Sequence, residues 1–168
     1  PIVILSQKVP GPRFLVLEMG ISMPGEMERL TNFVKPHIGI ITKIGRTHLE
    51  FLKTEKAVAE EKGKLIECLP ADGLAILNKD DKWFELLKNK TRANVISIGI
   101  KNGDIRAEIM ETGPWGSVFK IEGVKFKTSI PGDGIIYACL FAAALVKALG
   151  LNLKIASETV GRFKAPPG

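Results

Sequence analysis

Short apolar runs alternate with stretches of helical spacing over the first hundred residues of the chain. The runs are rich in Ile, Leu and Val, and they occupy residues 2–5, 14–17, 38–42, 74–77 and 95–98. Near-continuous apolar runs of this length are typical of strands that are buried on both faces. The helical stretches are residues 24–33, 54–69 and 80–88. The alternation predicts an α/β fold, a three-layer arrangement in which helices cover both faces of a parallel sheet.

The pattern changes after residue 102. Three short runs follow, at residues 105–110, 117–121 and 124–128, and turn residues separate them. They predict a small antiparallel meander within residues 103–130. Two helices are then predicted, over residues 135–149 and 153–162, with Gly150 suited to the C-terminal cap of the first. We treat residues 1–168 as one domain that contains the meander as a sub-sheet.

Composition narrows the class of protein. An apolar fraction of 45% in 168 residues fits one globular domain. No apolar run reaches the roughly 18 residues of a membrane span, so no membrane partner is expected. Cys68 and Cys139 lie far apart, which favours a reduced cytoplasmic protein over a disulfide between them. The net charge of +6 favours an anionic partner, but the lysines are scattered and do not alternate with aromatics, so nucleic acid is not expected.

Polar residues that follow the strands are the candidate site. Ligands of parallel α/β sheets bind at the carboxyl ends of the strands, which selects residues 18–20, 42–48 and 78–81. The carboxylate of Glu18 could bind a divalent metal, or it could pair with a lysine. The imidazole of His48 is a common type of metal ligand, although a loop histidine is more often solvated.

Three further positions carry weaker signals. Lys62 is, by composition alone, an ordinary surface lysine of a helix. Gly63 lies inside that predicted helix, where glycine costs about 1 kcal/mol, and it indicates close approach of another element or of a ligand. Residues 78–81 fit a turn with a helix cap as well as they fit polar groups at a ligand edge. His37 precedes its strand and is interpreted as structural.

Bare motifs identify no reaction. No segment matches the glycine-rich P-loop pattern, no cysteine and histidine clusters have zinc-finger spacing, and no Gly-x-Ser-x-Gly elbow is present.

Taken together, however, several segments resemble the central, nucleotide-binding domain of the Mur ligase family. They occur in the family's order at residues 16–20, 24–30, 35–50, 59–63, 72–81 and 98–99. Met19-Gly20 and Pro24-Gly25-Glu26 are most similar to the branch that adds D-alanyl-D-alanine to a UDP-muramoyl tripeptide.

The resemblance implies an ATP-dependent ligase of peptidoglycan synthesis that acts through an acyl phosphate. It implies two Mg²⁺ ions, with Glu18, His48 and Lys62 at the metals, and it makes Lys62 and His48 the catalytic candidates. Lys62 matches the lysine that the family carbamylates. Asn78, Asp80 and Thr42 are the candidates for binding ATP. The implied partners are a UDP-muramoyl-peptide and an amino acid or dipeptide, and the implied protein is a cytoplasmic monomer.

Departures from the family pattern keep other interpretations open. Lys43 replaces an asparagine, Lys64 replaces a glutamate, and Gly134-Ile135 stand where the family commonly has His-Asn for adenine recognition. The family's P-loop and third domain would lie outside residues 1–168, so we expect the isolated chain not to turn over ATP. The alternatives are a non-catalytic, ligase-like scaffold and an unrelated α/β domain that binds an anionic metabolite.

Overall fold

The computed structural model describes residues 2–3, 14–45 and 49–163. Its main feature is a six-stranded sheet with the order β3-β4-β5-β6-β7-β8. The strands are β1 (Ile2–Val3), β2 (Val16–Leu17), β3 (Ile38–Ile41), β4 (Leu74–Asn78), β5 (Asn94–Gly99), β6 (Ile105–Gly113), β7 (Gly116–Ile121) and β8 (Val124–Thr128). The helices are α1 (Glu26–Val34), α2 (Leu49–Leu52), α3 (Glu55–Glu67), α4 (Phe84–Lys88), α5 (Asp133–Ala148) and α6 (Leu153–Arg162).

Strands β3, β4 and β5 form the predicted parallel sheet. Ile38 pairs with Leu74, and Leu74 pairs with Asn94, so the three strands run side by side in one direction. Alternate residues of β4 enter different cores: Leu77 joins the one formed with α3 and α4, and Ile76 joins the one formed with α5. Burial on both faces explains the near-continuous apolar runs and confirms the three-layer arrangement.

The meander continues this sheet rather than standing apart from it. Strand β6 pairs in parallel with β5 at Ile98↔Ile105 and Gly99↔Arg106, and then antiparallel with β7, which pairs antiparallel with β8. The antiparallel prediction is confirmed, and the whole is one mixed sheet. Stacked Phe119 and Phe126, with ring centroids 5.7 Å apart, lie in the same core as α5.

The predicted strand at residues 14–17 is the clearest error. Only Val16–Leu17 is a strand, and it pairs antiparallel with β1 in a separate two-stranded sheet. Phe14, Leu15 and Val16 are 46%, 55% and 48% exposed, so the segment is not buried on both faces. An apolar run indicates that burial is favourable but does not specify which elements it packs against. Here Ile21, and not the run at residues 14–17, enters the core.

Helix starts depend on local capping. Thr54 accepts a hydrogen bond from the Ala57 amide at 3.1 Å and caps α3, as predicted. Helix α1 begins at Glu26, later than Pro24, because Gly25 takes a left-handed conformation with φ of 86°. Helix α4 begins at Phe84 rather than at residue 80, because the carboxylate of Asp81 accepts a hydrogen bond from the Trp83 amide and stabilises a turn before the helix. Helix α2 lies between β3 and α3, where no helix was predicted.

Two further expectations were tested by the fold. Both Cys68 and Cys139 are free thiols, which rules out the alternative of a disulfide between them. His37 lies just before β3, where its carbonyl accepts a hydrogen bond from the Leu74 amide at 2.9 Å, so it does occupy the end of the sheet opposite the candidate site. None of the described helices has the length and apolarity needed to cross a membrane.

Candidate functional site

Lys62 lies against the loop that follows β3. Its Nζ donates a hydrogen bond to the Lys43 carbonyl oxygen at 3.3 Å. Burial lowers the pKa of Lys62, and the negative charge of Asp81 acts in the opposite direction. An apparent surface lysine is therefore a partly buried group at the carboxyl end of the sheet, close to a carboxylate.

Asp81 joins the loops that follow two neighbouring strands. Its Oδ2 accepts a hydrogen bond from the Ile44 amide at 3.1 Å, and its Oδ1 accepts one from the Trp83 amide at 2.9 Å. The loop after β3 is thereby held to the turn after β4. Sequence reasoning placed Asp81 at this edge but assigned it no role, because the amide it binds is 37 residues away.

Asp80 is the centre of a second network. Its Oδ2 accepts hydrogen bonds from the Ile100 amide at 2.7 Å, the Lys101 amide at 3.0 Å and the Tyr137 hydroxyl at 2.9 Å. Its Oδ1 accepts one from the Asn102 amide at 3.0 Å. Three successive amides that converge on one anion form a backbone nest. Since the carboxylate already has four donors within the chain, it shapes the loop after β5 rather than presenting an open acceptor.

The network shifts the pKa values of both side chains. Burial alone would raise the pKa of Asp80, but the hydrogen bonds from Lys101, Tyr137 and the neighbouring amides outweigh it and lower the pKa. Burial, together with the hydrogen bond to Asp80 and its charge, raises the pKa of Tyr137 to about 12. The loop packs so closely that a Cβ on Gly99 would lie 1.9 Å from the Asn102 carbonyl oxygen.

The other two nucleotide candidates lie at the ends of their strands. Asn78 is the last residue of β4, and its Oδ1 accepts a hydrogen bond from the Asp80 amide at 2.9 Å. Thr42 directly follows β3 and is exposed. The structure therefore has Thr42, Asn78 and Asp80 at the carboxyl edge of β3 and β4, as the rule for parallel sheets predicts. It also brings Lys62 of α3 to this edge, which the rule did not select.

The proposed metal ligands are only partly placed. Glu18 is exposed and follows β2, so strand pairing does not carry it to the edge of the six-stranded sheet. Its neighbour Met19 does pack against the core that contains Ile44. His48 lies outside the described residues, and the described part of the chain contains no group of three or more His, Cys, Asp or Glu side chains that could hold a metal ion. The metal site stays a prediction.

Gly63 marks the approach of another element. A Cβ at this position would lie 2.6 Å from Cδ of Lys90, so the aliphatic part of Lys90 occupies the space that glycine leaves open. Lys90 Nζ then pairs with Glu60 at 2.8 Å. The sequence predicted close approach of another element or of a ligand at Gly63, and the side chain of Lys90 is what approaches it.

Gly134 and Ile135 lie in the first turn of α5, three and two residues before Tyr137, respectively. A Cβ at Gly134 would meet no atom within 4 Å, and the residue is exposed. Gly134 stands where the family that the sequence resembles commonly has histidine, and the space beside it is open in this chain.

Two open cavities are formed by described residues. One, of about 350 Å³, is lined by residues of α3 and by Pro24, and the other, of about 480 Å³, lies along β6 and β7. Neither is lined by a predicted site residue. In the part of the chain that the structure describes, the candidate site residues lie along a strand edge and line neither of these cavities.

The chain belongs to the Mur ligase middle domain family, whose model matches residues 3–146. The UDP-N-acetylmuramoyl-tripeptide–D-alanyl-D-alanine ligase of Synechocystis sp. is 30% identical over 85% of this chain and 31% of its own length. That of Escherichia coli (strain K12) is 26% identical over 98% of the chain and 38% of its own length. The UDP-N-acetylmuramate–L-alanine ligase of Clostridium novyi is 34% identical over 80% of the chain and 30% of its own length.

Solved structures share the fold. MurF from Acinetobacter baumannii superposes with a TM-score of 0.82 at 22% identity, over 90% of this chain and 34% of that one. MurF ligase from Thermotoga maritima in complex with ADP superposes with a TM-score of 0.79 at 22% identity, over 96% and 38%. The present chain thus spans about a third of the length of these relatives.

Proposed function

We propose that this chain is the central domain of an ATP-dependent ligase of peptidoglycan precursor synthesis, which joins D-alanyl-D-alanine to a UDP-muramoyl tripeptide. The observation that carries the proposal is the cluster of Lys62, the loop after β3 and Asp81 at the carboxyl edge of the sheet. Membership of the Mur ligase family and the names of the relatives support the reaction.

The reaction balances without a redox step. The γ-phosphoryl group of ATP is transferred to a substrate carboxylate, which gives an acyl phosphate and ADP. The amine of the incoming dipeptide attacks the acyl carbon, phosphate leaves, and an amide bond forms with loss of a proton from the amine. In such a reaction the protein acts mainly by positioning the reactants and stabilising charge.

Lys62 is chemically suited to the carbamylation that we propose for it. A neutral amine adds CO₂ and releases a proton, and burial lowers the pKa of Lys62, which increases its neutral fraction. Carbamylation would turn a cation into an oxygen donor of the kind that Mg²⁺ prefers. Glu18 and His48 would hold the ions with it. When bound, Mg²⁺ neutralises charge on the phosphate oxygens.

Other residues of the chain shape the nucleotide edge. Asp80 fixes the backbone after β5 and the hydroxyl of Tyr137, so its role toward ATP is to position these groups. Asn78 supports the same turn through the Asp80 amide. Thr42 is exposed at the end of β3 and is the candidate for direct contact with the nucleotide.

The test uses a full-length protein that contains this chain, assayed for phosphate release with UDP-muramoyl tripeptide and D-alanyl-D-alanine. Lys62→Ala is expected to lower kcat/KM at least about 10²-fold. Lys56→Ala is the matched control, since Lys56 is an exposed lysine of the same helix, and it should change little. Equal activity of the two variants would contradict the role of Lys62. The isolated 168-residue chain is expected to show no ATP turnover.

A second candidate substrate pair deserves the same assay. The Clostridium novyi relative, named as an L-alanine ligase, is 34% identical to this chain, above the value for the Synechocystis relative. Turnover with UDP-N-acetylmuramate and L-alanine, but not with the tripeptide and D-alanyl-D-alanine, would reassign the substrates within the same reaction class. Absence of turnover with both pairs would favour a non-catalytic scaffold.

A further inference from the structure

A buried carboxylate one residue before Lys62 holds the start of α1. Glu61, on α3, is only 4% exposed. Its Oε1 accepts hydrogen bonds from the Gly25 amide at 2.8 Å and from the Met27 amide at 3.1 Å. These contacts join segments that are 36 and 34 residues apart.

Glu61 supplies a cap that α1 lacks. The N-cap position of α1 is Gly25, which has no side chain to accept from the first-turn amides. Those amides need acceptors, and negative charge is favoured at the positive end of a helix. A carboxylate that reaches across from α3 meets both requirements.

The second oxygen of the carboxylate is fixed as well. Lys64 Nζ lies 2.8 Å from Oε2 of Glu61, one turn along the same helix. Lys64 stands where the family pattern has glutamate, so this chain pairs its buried carboxylate with a cation instead of placing a like charge beside it. Both oxygens of Glu61 are thus held, which leaves the side chain little freedom to rotate.

The contact fixes one end of the segment that carries Glu18. Residues 18–25 connect β2 to α1, and Ile21, 3% exposed, anchors their middle in the core. Glu61 fixes their far end at Gly25. Because Lys62 is the next residue of α3, the hydrogen bonds of Glu61 tie the end of that segment to the helix that carries Lys62.

We propose that Glu61 is a positioning residue of the divalent-cation site: by clamping the start of α1 to α3, it sets the placement of Glu18 relative to Lys62 and thereby the affinity for the cation. This inference rests on the proposed ligase function. It assigns to Glu61 no contact with the cation or with substrate.

The experiment measures Mn²⁺, as a spectroscopic substitute for Mg²⁺, bound to the full-length protein with ATP, by electron paramagnetic resonance of the free ion. Glu61→Asp keeps the charge but loses one methylene of reach, and Glu61→Gln keeps the reach and an accepting carbonyl oxygen. We expect Asp to weaken Mn²⁺ binding about tenfold or more and Gln to stay within about threefold. Glu67→Ala, which removes an exposed carboxylate of the same helix, should leave affinity unchanged.

Hydrogen exchange of the Gly25 and Met27 amides reports on the clamp itself. Both amides should be protected in the wild type, exchange at least about tenfold faster in Glu61→Asp, and stay protected in Glu61→Gln. Lys64→Glu, a change at a partly exposed position, keeps the acceptor but places a like charge beside it, and it should weaken Mn²⁺ binding about threefold. This second variant provides the test if Glu61→Asp does not fold.

Different results overturn different claims. Wild-type Mn²⁺ affinity in Glu61→Asp, or in Lys64→Glu if Glu61→Asp does not fold, together with faster amide exchange, would show that the clamp is structural only and overturn the proposal. Unprotected Gly25 and Met27 amides in the wild type would overturn the contact. If the wild type itself binds no Mn²⁺ with ATP, the ligase proposal fails, and the role of Glu61 fails with it.

Discussion

Tyr137→Phe should destabilise the chain by about 1.5–2 kcal/mol, because it removes one hydrogen bond and little else. The bond joins the Tyr137 hydroxyl to Oδ2 of Asp80 at 2.9 Å. A hydrogen bond to a charged group contributes about 1.5–3 kcal/mol. The lower half of that range applies, since Asp80 keeps three backbone donors and is not left unpaired.

The raised pKa of Tyr137 bounds the same energy from above, because burial is the largest cause of the shift and the hydrogen bond to Asp80 adds to it. The value rises from 10.0 to about 12, and two pKa units correspond to an upper limit of about 2.7 kcal/mol. Because Tyr137 is only partly buried, solvent screening lowers this figure toward the first estimate. For a domain of this size, a loss of 1.5–2 kcal/mol lowers Tm by about 3–8 °C.

The assay is urea unfolding of both proteins, followed by the fluorescence of Trp83 and Trp115 between pH 7 and pH 12. A raised folded-state pKa means that the stabilisation is complete below pH 10.0 and is lost as pH rises toward about 12. The difference between wild type and Tyr137→Phe should shrink over that interval. Since Tyr137 is the only tyrosine, absorbance at 295 nm should show its ionisation directly, near 12 in the folded chain and near 10 in urea.

Two results would refute the reasoning. A loss of less than about 0.5 kcal/mol at pH 7 would mean that the hydroxyl does not bind a charged partner. A folded-state ionisation near pH 10 would mean that neither burial nor Asp80 acts on it.

Two further predictions concern thiols and glycines. Cys68 is exposed and Cys139 is buried with its pKa raised to about 11, so Ellman's reagent at pH 8 should titrate one thiol in the folded chain and two in urea; two in the folded chain would contradict the burial of Cys139. Gly99→Ala should destabilise by at least about 2 kcal/mol in urea unfolding, because the added Cβ meets backbone 1.9 Å away. Gly134→Ala, in an open helical position, should instead stabilise the chain by about 0.5–1 kcal/mol. Equal effects of Gly99→Ala and Gly134→Ala on the free energy of unfolding would contradict the packing described for these two glycines.

Local signals in the sequence were the most dependable. Helix α6 has the predicted bounds, and Asn152 explains why: its Oδ1 accepts a hydrogen bond from the Lys154 amide at 2.9 Å and fixes the start. Strands β3 to β5 were predicted from apolar runs, since burial on both faces leaves a direct trace in composition. Strand β2 is also part of an apolar run but lies outside the main sheet, because an apolar run does not specify the strand with which it pairs.

The location of the candidate site at the carboxyl ends of the strands could be predicted from the sequence, but its hydrogen bonds could not. The rule for strand ends selected the segments of Thr42, Asn78 and Asp80. It did not reveal that Tyr137, 57 residues from Asp80, donates to that carboxylate. Glu61 was missed because a glutamate on a helix is ordinarily solvated. One weak signal was present: Gly25 begins a helix without a side chain that could cap it.

The start of α1 is capped by a side chain of α3, and this has a consequence for the order of folding. A helix of nine residues is marginal in isolation, and α1 has no side-chain cap at Gly25. Its acceptor is Glu61, which reaches the Gly25 amide only when α3 is formed and docked. In contrast, α3 carries its own cap at Thr54 and can form without α1. Substitutions in α1 should therefore speed unfolding and leave the folding rate nearly unchanged, whereas substitutions at Thr54 should slow folding.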